Sequence, residues 1–263
     1  MAFAVASVGV AQSAPLVIGA TGGSGTRVIA RIAKRAGYDL GSRFNAAEDA
    51  LELYAFFDAW IDPFVRAQRL GTTITPWQSA RMKEDFYAAL ARHLPEPERR
   101  GRLWGWKAPR SIYLLPFFYG ECPHLKFIHL LRDGRDMALS SNQNQLRKHG
   151  AAVLSLRERL FHSTTQRSIL LWQKINLFAA DFGEWRMSGN YLRVRFEDLC
   201  RSPLETVAEI LKFLEVALDP EPIARTEITP PQSLGRWRER SGRTVSTLEA
   251  TGAAGLRKFG YIE

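Results

Sequence analysis

Short apolar runs alternate with longer amphipathic stretches along this chain. Four of the runs have the length and composition of buried parallel strands, namely residues 16–20, 103–106, 126–131 and 191–195. Between them, apolar residues recur at helical spacing, as in the stretch that begins at Val28 and ends near Gly37. Strands that alternate with helices are typical of a parallel sheet covered on both faces. The pattern therefore predicts an α/β domain of three layers, a parallel sheet flanked by helices.

Longer helices are predicted where the helical period persists, at residues 47–69, 77–93, 164–185 and 203–214. The tail after Asp219 is rich in Pro, Gly and Arg and has little periodicity until residues 250–258, which predicts a covering loop. There is no internal repeat and no long linker. We therefore expect one domain over residues 15–263, preceded by a disordered or extended N-terminus over residues 1–14.

The first predicted strand runs into a glycine-rich turn, LVIGATGGSGTR, and the start of a helix. Such a turn brings backbone N–H groups, here those of Gly25, Thr26 and Arg27, to the positive end of a helix dipole, where they can bind phosphate. In the nucleotide-triphosphatase pattern G-x-x-x-x-G-K-[ST], Ser24 and Gly25 stand where the second Gly and the Lys belong. We therefore expect a phosphate other than that of ATP or GTP, and the alternative is an ordinary turn that binds nothing.

A second possible anion site follows the third predicted strand. Arg132 directly follows that strand, at the carboxyl edge where open α/β sheets bind their ligands. Asp133 and Gly134 are expected to turn, Asp136 to cap the next helix, and Ser140 to lie about one turn inside it. Arg132 and Ser140 could then bind one anion together. The alternative is a surface ion pair of Arg132 with a neighbouring Asp.

Together, these two segments resemble the sulfotransferases that use 3′-phosphoadenosine 5′-phosphosulfate (PAPS). In that family, a strand–loop–helix holds the 5′-phosphosulfate and a later R-x(7)-S pair holds the 3′-phosphate. The resemblance extends over nearly the whole chain, through the segments YLRVRFEDL, LKFL and SLGRWR and the ending LRKFGY. It implies a P-loop-like fold, PAPS as the donor cosubstrate, no metal, and transfer of a sulfuryl group to an acceptor hydroxyl.

The resemblance also assigns the residues that bind the donor. Phe196 takes the position of an aromatic residue that packs on adenine, and Arg236 lies in a late basic loop that closes over the nucleotide. The donor-binding residues implied in this way are Gly22, Gly23, Ser24, Gly25, Thr26, Arg27, Arg132, Ser140, Phe196 and Arg236. Many family members carry a Lys or Arg at the position of Gly23, and this chain does not.

Lys107 and Arg27 are the available replacements for that missing cation. Lys107 belongs to the segment WKAPR, which is similar to the K-x-P segment of carbohydrate- and tyrosine-type members, where the Lys approaches the leaving group. For the general base, the tyrosine-type members indicate an acid after the first helix, here Asp49 and then Glu48. Acids are also common in a first helical turn as capping residues, so this assignment has an alternative. His129 and His149 are the next candidates.

The acceptor follows from resemblance and charge. With 36 Lys and Arg against 27 Asp and Glu, the net charge of +9 favours anionic partners. The resemblance favours a carbohydrate, and a lipid, tyrosine or small alcohol stays open. Arg110, three residues after Lys107, is a candidate for contact with the acceptor. An anionic or polysaccharide acceptor is favoured by four further basic residues, unless they form only a solvated face: Arg147, Lys148, Arg157 and Arg159.

The remaining composition narrows location and rival functions. Cys122 and Cys200 have no metal-binding or redox spacing, which fits a reducing, cytoplasmic location. No stretch is long and apolar enough to span a membrane, no nucleic-acid partner is expected, and contact with a membrane surface stays open. The rival functions are a P-loop kinase, disfavoured by the missing Lys and Mg²⁺-binding Asp, and a non-catalytic binder of adenosine bisphosphate or an anionic polymer.

Overall fold

The computed structural model describes residues 14–93 and 102–263. Within them, four parallel strands form one sheet in the order β2-β1-β3-β4. The register pairs Leu16 of the first strand with Gly105 and Lys126, and Phe127 of the third with Tyr191. The strands are β1 (Leu16–Gly19), β2 (Gly105–Lys107), β3 (Lys126–Leu131) and β4 (Tyr191–Arg195).

Helices cover this sheet and fill the connections between its strands. They are α1 (Thr26–Arg35), α2 (Tyr54–Arg69), α3 (Pro76–His93), α4 (Leu115–Glu121), α5 (Gly134–Ala138), α6 (Asn144–Val153), α7 (Leu156–Phe161), α8 (Thr164–Arg186), α9 (Phe196–Arg201), α10 (Pro203–Leu214), α11 (Pro220–Glu227), α12 (Gly242–Thr251) and α13 (Ala253–Lys258). Short 3₁₀ turns occupy Leu51–Leu53, Pro109–Leu114 and Arg236–Glu239. The parallel sheet with flanking helices confirms the predicted fold class.

The two faces of β1 belong to different cores, because successive side chains of a strand point to opposite faces. Leu16 and Ile18 pack in one apolar cluster with α1 and α10. Val17 packs in another with α2, α3 and α8. The sheet is therefore the middle of three layers, and the carboxyl ends of its strands lie open between the two helical layers.

The predicted helix at 47–69 is wrong at its start, because α2 begins only at Tyr54. The Asn45 side chain accepts the backbone N–H of Asp49 at 3.0 Å, and Glu48 has a φ of 62°. A short polar side chain that bonds to nearby backbone in this way competes with helix formation. Both candidate bases therefore lie in a loop, and neither is one turn inside a helix.

The turn after β3 also differs from the prediction. The residue that caps α5 is Asp133, whose side chain accepts the N–H of Arg135 at 2.8 Å, whereas Asp136 lies within the helix. Because α5 ends at Ala138, Ser140 follows the helix and does not lie inside it. A cap directly before Gly134 starts the helix earlier than the sequence suggested.

The tail was expected to be a loop and is largely helical. It contains α11, the 3₁₀ turn at Arg236–Glu239, and α12, which begins at Gly242, eight residues before the predicted periodicity. Side-chain caps explain the two α-helix starts, because Asp219 accepts the N–H of Glu221 and Ser241 that of Thr244. No helix of the described residues is both long and apolar enough to cross a membrane. The predicted N-terminal extension lies, up to residue 13, outside the described residues.

Candidate active site

A cleft of about 790 Å³ opens at the carboxyl ends of β1, β2 and β3. This is where open parallel sheets bind their ligands. Its walls come from the turn before α1, the ends of β2 and β3, the helices α2 and α6, and the segment 229–233. Among the lining residues are Gly22, Gly23, Gly25, Thr26, Arg27, Asp49, Tyr54, Phe57, Lys107, Arg110, Arg132, Gln145, Lys148, Phe196 and Ser233.

The turn before α1 needs its glycines. Gly23 and Gly25 have φ values of 85° and 88°, and a Cβ on Gly25 would lie 2.5 Å from the Phe196 ring. Ser24 is buried, and its hydroxyl donates to the carbonyl of Thr21 at 2.5 Å. Its side chain therefore fixes the turn from inside, and the backbone faces the cleft.

The N-terminus of α1 is open to an anion. No side chain caps this helix at Gly25, so the N–H groups of its first turn lack that partner. Arg27 lies in the same turn, lines the cleft and is exposed. Within the described residues, it forms no ion pair. The helix end and this cation together present positive charge to the cleft.

Lys107 and Asp49 form one buried unit at the end of β2. The Lys107 ammonium is ion-paired with Asp49 and donates to the carbonyl of Ala47 at 2.5 Å. The other Asp49 oxygen accepts from the Tyr54 hydroxyl at 2.9 Å and from Asn45 at 3.3 Å. Burial lowers the pKa of Lys107 more than its neighbour Asp49 raises it. The two residues assigned separately as cation and base are in direct contact.

Glu48 lies away from the cleft. Its carboxylate accepts from Arg31 at 3.3 Å and from Lys34 at 3.1 Å on the outer side of α1. Burial alone would raise the pKa of Glu48, but these two bonds bring the pKa below its usual value. Asp49 therefore contacts Lys107 directly, whereas Glu48 acts on the pKa of Lys107 only through its charge at a distance.

Arg132 lies at the other end of the cleft, as the sequence predicted. Its Nη2 donates to Asp136 at 3.0 Å and to the carbonyl of Ser233 at 2.5 Å. Its guanidinium carbon lies 5.5 Å from the centre of the Phe196 ring. Ser140 is not among the residues that line the cleft, and its hydroxyl accepts the N–H of Asn142 at 3.2 Å.

Arg236 approaches the same corner. Its Nε donates to the Ser233 carbonyl at 3.2 Å, the same atom that Arg132 contacts. Burial and then the charge of Arg132 lower the pKa of Arg236. Two guanidinium groups held this close favour an anion between them. Arg236 is not part of the cleft lining, but it lies beside Arg132, and its role in closing over the nucleotide stays a prediction.

Comparison with known proteins decides the family. The model of the sulfotransferase family matches residues 15–220, which is most of the chain and includes every strand described above. The chain belongs to this family. The resemblance given on sequence motifs is thereby confirmed, and the protein is a sulfotransferase and hence a transferase enzyme. No curated protein sequence matches the chain.

Solved sulfotransferase structures share the fold at low sequence identity. The enzyme of Alicyclobacillus acidocaldarius has a TM-score of 0.53 at 15% identity, with 93% of each chain covered. The sulfotransferase domain of the Synechococcus PCC 7002 olefin synthase has a TM-score of 0.51 at 19% identity, covering 90% of this chain and 95% of that one. Mouse SULT7A1, complexed with PAP, has a TM-score of 0.54 at 14% identity, covering 96% and 88%.

Sequence reasoning missed part of the cleft of this sulfotransferase. Tyr54 bonds to Asp49, and Gln145 accepts from the Tyr113 hydroxyl at 2.9 Å, yet neither was a candidate. No local signal marks them, because each reaches the cleft through the packing of a distant helix. Arg110 and Lys148, named only in connection with the acceptor, also line the cleft.

The two histidines considered as bases lie outside the cleft lining. His129 is fully buried between the Tyr191 hydroxyl at 2.6 Å and Asn176 at 2.8 Å, and burial lowers its pKa to about 4. His149 bonds to Asp62 at 2.8 Å, and burial lowers its pKa as well.

Among the described residues, no group of three or more His, Cys, Asp or Glu could hold a metal ion.

Proposed function

We propose that this sulfotransferase transfers the sulfuryl group of PAPS to a hydroxyl group of an acceptor, with a carbohydrate as the expected acceptor. The observation that carries the proposal is one cleft with positive charge at two separate places, the α1 terminus with Lys107 and the corner with Arg132. PAPS has phosphate groups at both ends of its ribose, which suits this arrangement. The bound PAP in mouse SULT7A1 supports the same donor.

The donor would lie across the cleft. The first-turn amides of α1 and Arg27 would hold the 5′-phosphosulfate, as helix termini hold anions. Arg132 and Arg236 would hold the 3′-phosphate, and Phe196, beside both Gly25 and Arg132, would pack against the nucleotide. Ser140 stays a predicted contact to the 3′-phosphate, to which its hydroxyl could donate while it accepts the N–H of Asn142.

The reaction would be an in-line displacement at sulfur. The acceptor oxygen forms a bond to sulfur while the bond from sulfur to the 5′-phosphate oxygen breaks, and negative charge gathers on the departing phosphate. The Lys107 ammonium moves toward that charge and stabilises it. Asp49, released from Lys107, takes the proton of the acceptor hydroxyl. Their direct contact couples the two roles.

The acceptor is tested with PAPS carrying radiolabelled sulfate and a panel of sugars, phenols, simple alcohols and lipids. We expect label to move to sugars, and label on none of the classes would contradict the proposal.

We also propose that residues 15–263 act as one domain. A reducing cytoplasm as the location is supported by Cys122 and Cys200, neither of which forms a disulfide.

A further inference from the structure

Arg110 is a second buried cation in the cleft wall, three residues after Lys107. It lies in the 3₁₀ turn that follows β2 and is 7% exposed. Its guanidinium carbon lies 4.6 Å from the centre of the Tyr54 ring and 5.2 Å from that of Phe57. Two aromatic rings therefore hold the guanidinium in one place, so little conformational entropy is lost when it binds a ligand.

The hydrogen bonds of this guanidinium are incomplete. Nη1 is ion-paired with Asp58, and Nη2 is buried with no hydrogen-bond partner among the described residues. A buried donor without a partner is costly, and an arginine normally forms two parallel bonds to a planar anion. Arg110 can therefore donate from Nη2 to a second anion while Nη1 stays paired with Asp58.

Lys148 of α6 shares that same carboxylate. Its ammonium donates to the Asp58 oxygen that Arg110 also contacts, at 2.9 Å, and both cations line the cleft. Burial alone would raise the pKa of Asp58, but the bonds from Lys148 and Arg110 bring the pKa below its usual value. Arg110, Lys148 and Asp58 by themselves therefore carry one net positive charge, and Asp62 lies beyond them, paired with His149.

We propose that Arg110 and Lys148 form a subsite for an anionic group of the acceptor, and that Asp58 is an internal carboxylate that competes for it. The acceptor would then be a hydroxyl compound that also carries a carboxylate, sulfate ester or phosphate ester, as an acidic sugar does. This inference rests on the proposed function, because it assigns the other end of the cleft to the donor. Because Asp58 is paired with both cations, its removal should leave them free to bind an external anion.

The first test measures binding of inorganic sulfate to protein saturated with adenosine 3′,5′-bisphosphate, by calorimetry at constant ionic strength. We expect Arg110→Gln and Lys148→Gln to weaken sulfate binding about tenfold or more, and Asp58→Asn to strengthen it several-fold. Lys174→Gln is the matched control, since Lys174 is a half-exposed lysine that also pairs with one carboxylate, Glu158, and does not line the cleft. It should leave sulfate binding unchanged.

Absence of sulfate binding, equal binding in Arg110→Gln, or weaker binding in Asp58→Asn would overturn the subsite. If Arg110→Gln fails to fold, Lys148→Gln and Asp58→Asn still decide, because both of those side chains are half exposed. Failure of the proposed function is a separate result. It would show as no binding of the bisphosphate, which none of these three side chains is expected to contact.

The second test compares paired acceptors in the sulfation reaction, such as a glucoside and the matching glucuronide. We expect the acidic member to have a kcat/KM at least tenfold higher, and Lys148→Gln to remove most of that advantage. An equal or higher kcat/KM for the neutral member, or an unchanged ratio in Lys148→Gln, would contradict the subsite. Sulfation of the neutral member alone would leave the proposed function standing.

Discussion

At the scale of single residues, the proposed mechanism depends most directly on Lys107. It is 1% exposed, and it is ion-paired with Asp49 in the cleft. Lys107→Ala should lower kcat about a hundredfold, the usual effect of losing one donor that stabilises a developing oxyanion, while the Kd of the donor changes only a few-fold. Steady-state kinetics and nucleotide titration measure the two quantities.

Asp49→Asn is the companion variant, since it keeps the shape of Asp49 and removes its charge and basicity, while one acceptor oxygen becomes a donor and at least one hydrogen bond is lost. Under the proposed mechanism it also lowers kcat with donor binding intact, and Glu48→Gln, on the outer side of α1, serves as its control. A kcat within a few-fold of the parent enzyme in Lys107→Ala would remove Lys107 from the reaction.

In the proposed binding mode, recognition of the 3′-phosphate depends on Arg132. Arg132→Ala should cost about 1.5–3 kcal/mol of binding energy for adenosine 3′,5′-bisphosphate, the value of a hydrogen bond to a charged group. Adenosine 5′-phosphate lacks the 3′-phosphate, so its affinity should change much less. Calorimetric titration with both ligands measures the difference, and equal weakening of the two would assign Arg132 to another role.

At the scale of elements, α5 fastens the tail segment that contains Gly235 and Trp237 and lies beside Arg132. Asp136 accepts the N–H groups of Gly235 at 2.7 Å and Trp237 at 3.2 Å, besides its bond from Arg132. Asp136→Asn replaces one acceptor oxygen by a donor, so at least one of these bonds is lost. We expect faster tryptic cleavage within residues 229–241 and a several-fold weaker affinity for the bisphosphate.

Asp198→Asn is the control for that variant, because Asp198 pairs with Arg195 and Arg201 on the surface. It should change neither the cleavage rate nor the affinity. If Asp136→Asn behaves like Asp198→Asn, α5 does not fasten the tail.

The elements also show how far local pattern predicts structure. The bounds of β3, β4 and α10 were predicted correctly, since an apolar run or a Pro in the first turn marks them within their own residues. The start of α2 was predicted too early, because the Asn45 side chain bonds to the backbone of Asp49 in the loop that precedes α2. At the site, Lys107 and Arg132 could be predicted as strand ends, whereas Tyr54 depends on how α2 packs.

At the scale of the whole molecule, His129 joins β3, β4 and α8 through Tyr191 and Asn176. Its pKa of about 4 in the folded protein lies below the usual 6.5, so between these values the unfolded chain binds a proton that the folded chain does not. The uncharged, buried His129 therefore contributes fully to the free energy of unfolding above about pH 6.5, and this contribution is lost as the pH falls toward 4.

We expect this residue alone to reduce the free energy of unfolding by about 2 kcal/mol between pH 7 and pH 5. His129→Gln cannot titrate, so its loss over the same interval should be smaller by about that amount. Urea unfolding at the two pH values measures both proteins. The same pH dependence in both would mean that another group governs acid sensitivity.

The whole cleft, and not any one residue, distinguishes a sulfotransferase donor from a nucleoside triphosphate. The turn before α1 has Gly25 where a triphosphatase has its Lys, and in the proposed binding mode Arg132 and Arg236 supply cations for the 3′-phosphate. The most direct measurement is thermal unfolding with adenosine 3′,5′-bisphosphate or with ATP and Mg²⁺. The bisphosphate, at about a hundred times its Kd, should stabilise the protein by about 2.7 kcal/mol and ATP with Mg²⁺ far less. Equal or greater stabilisation by ATP with Mg²⁺ would contradict the proposed donor.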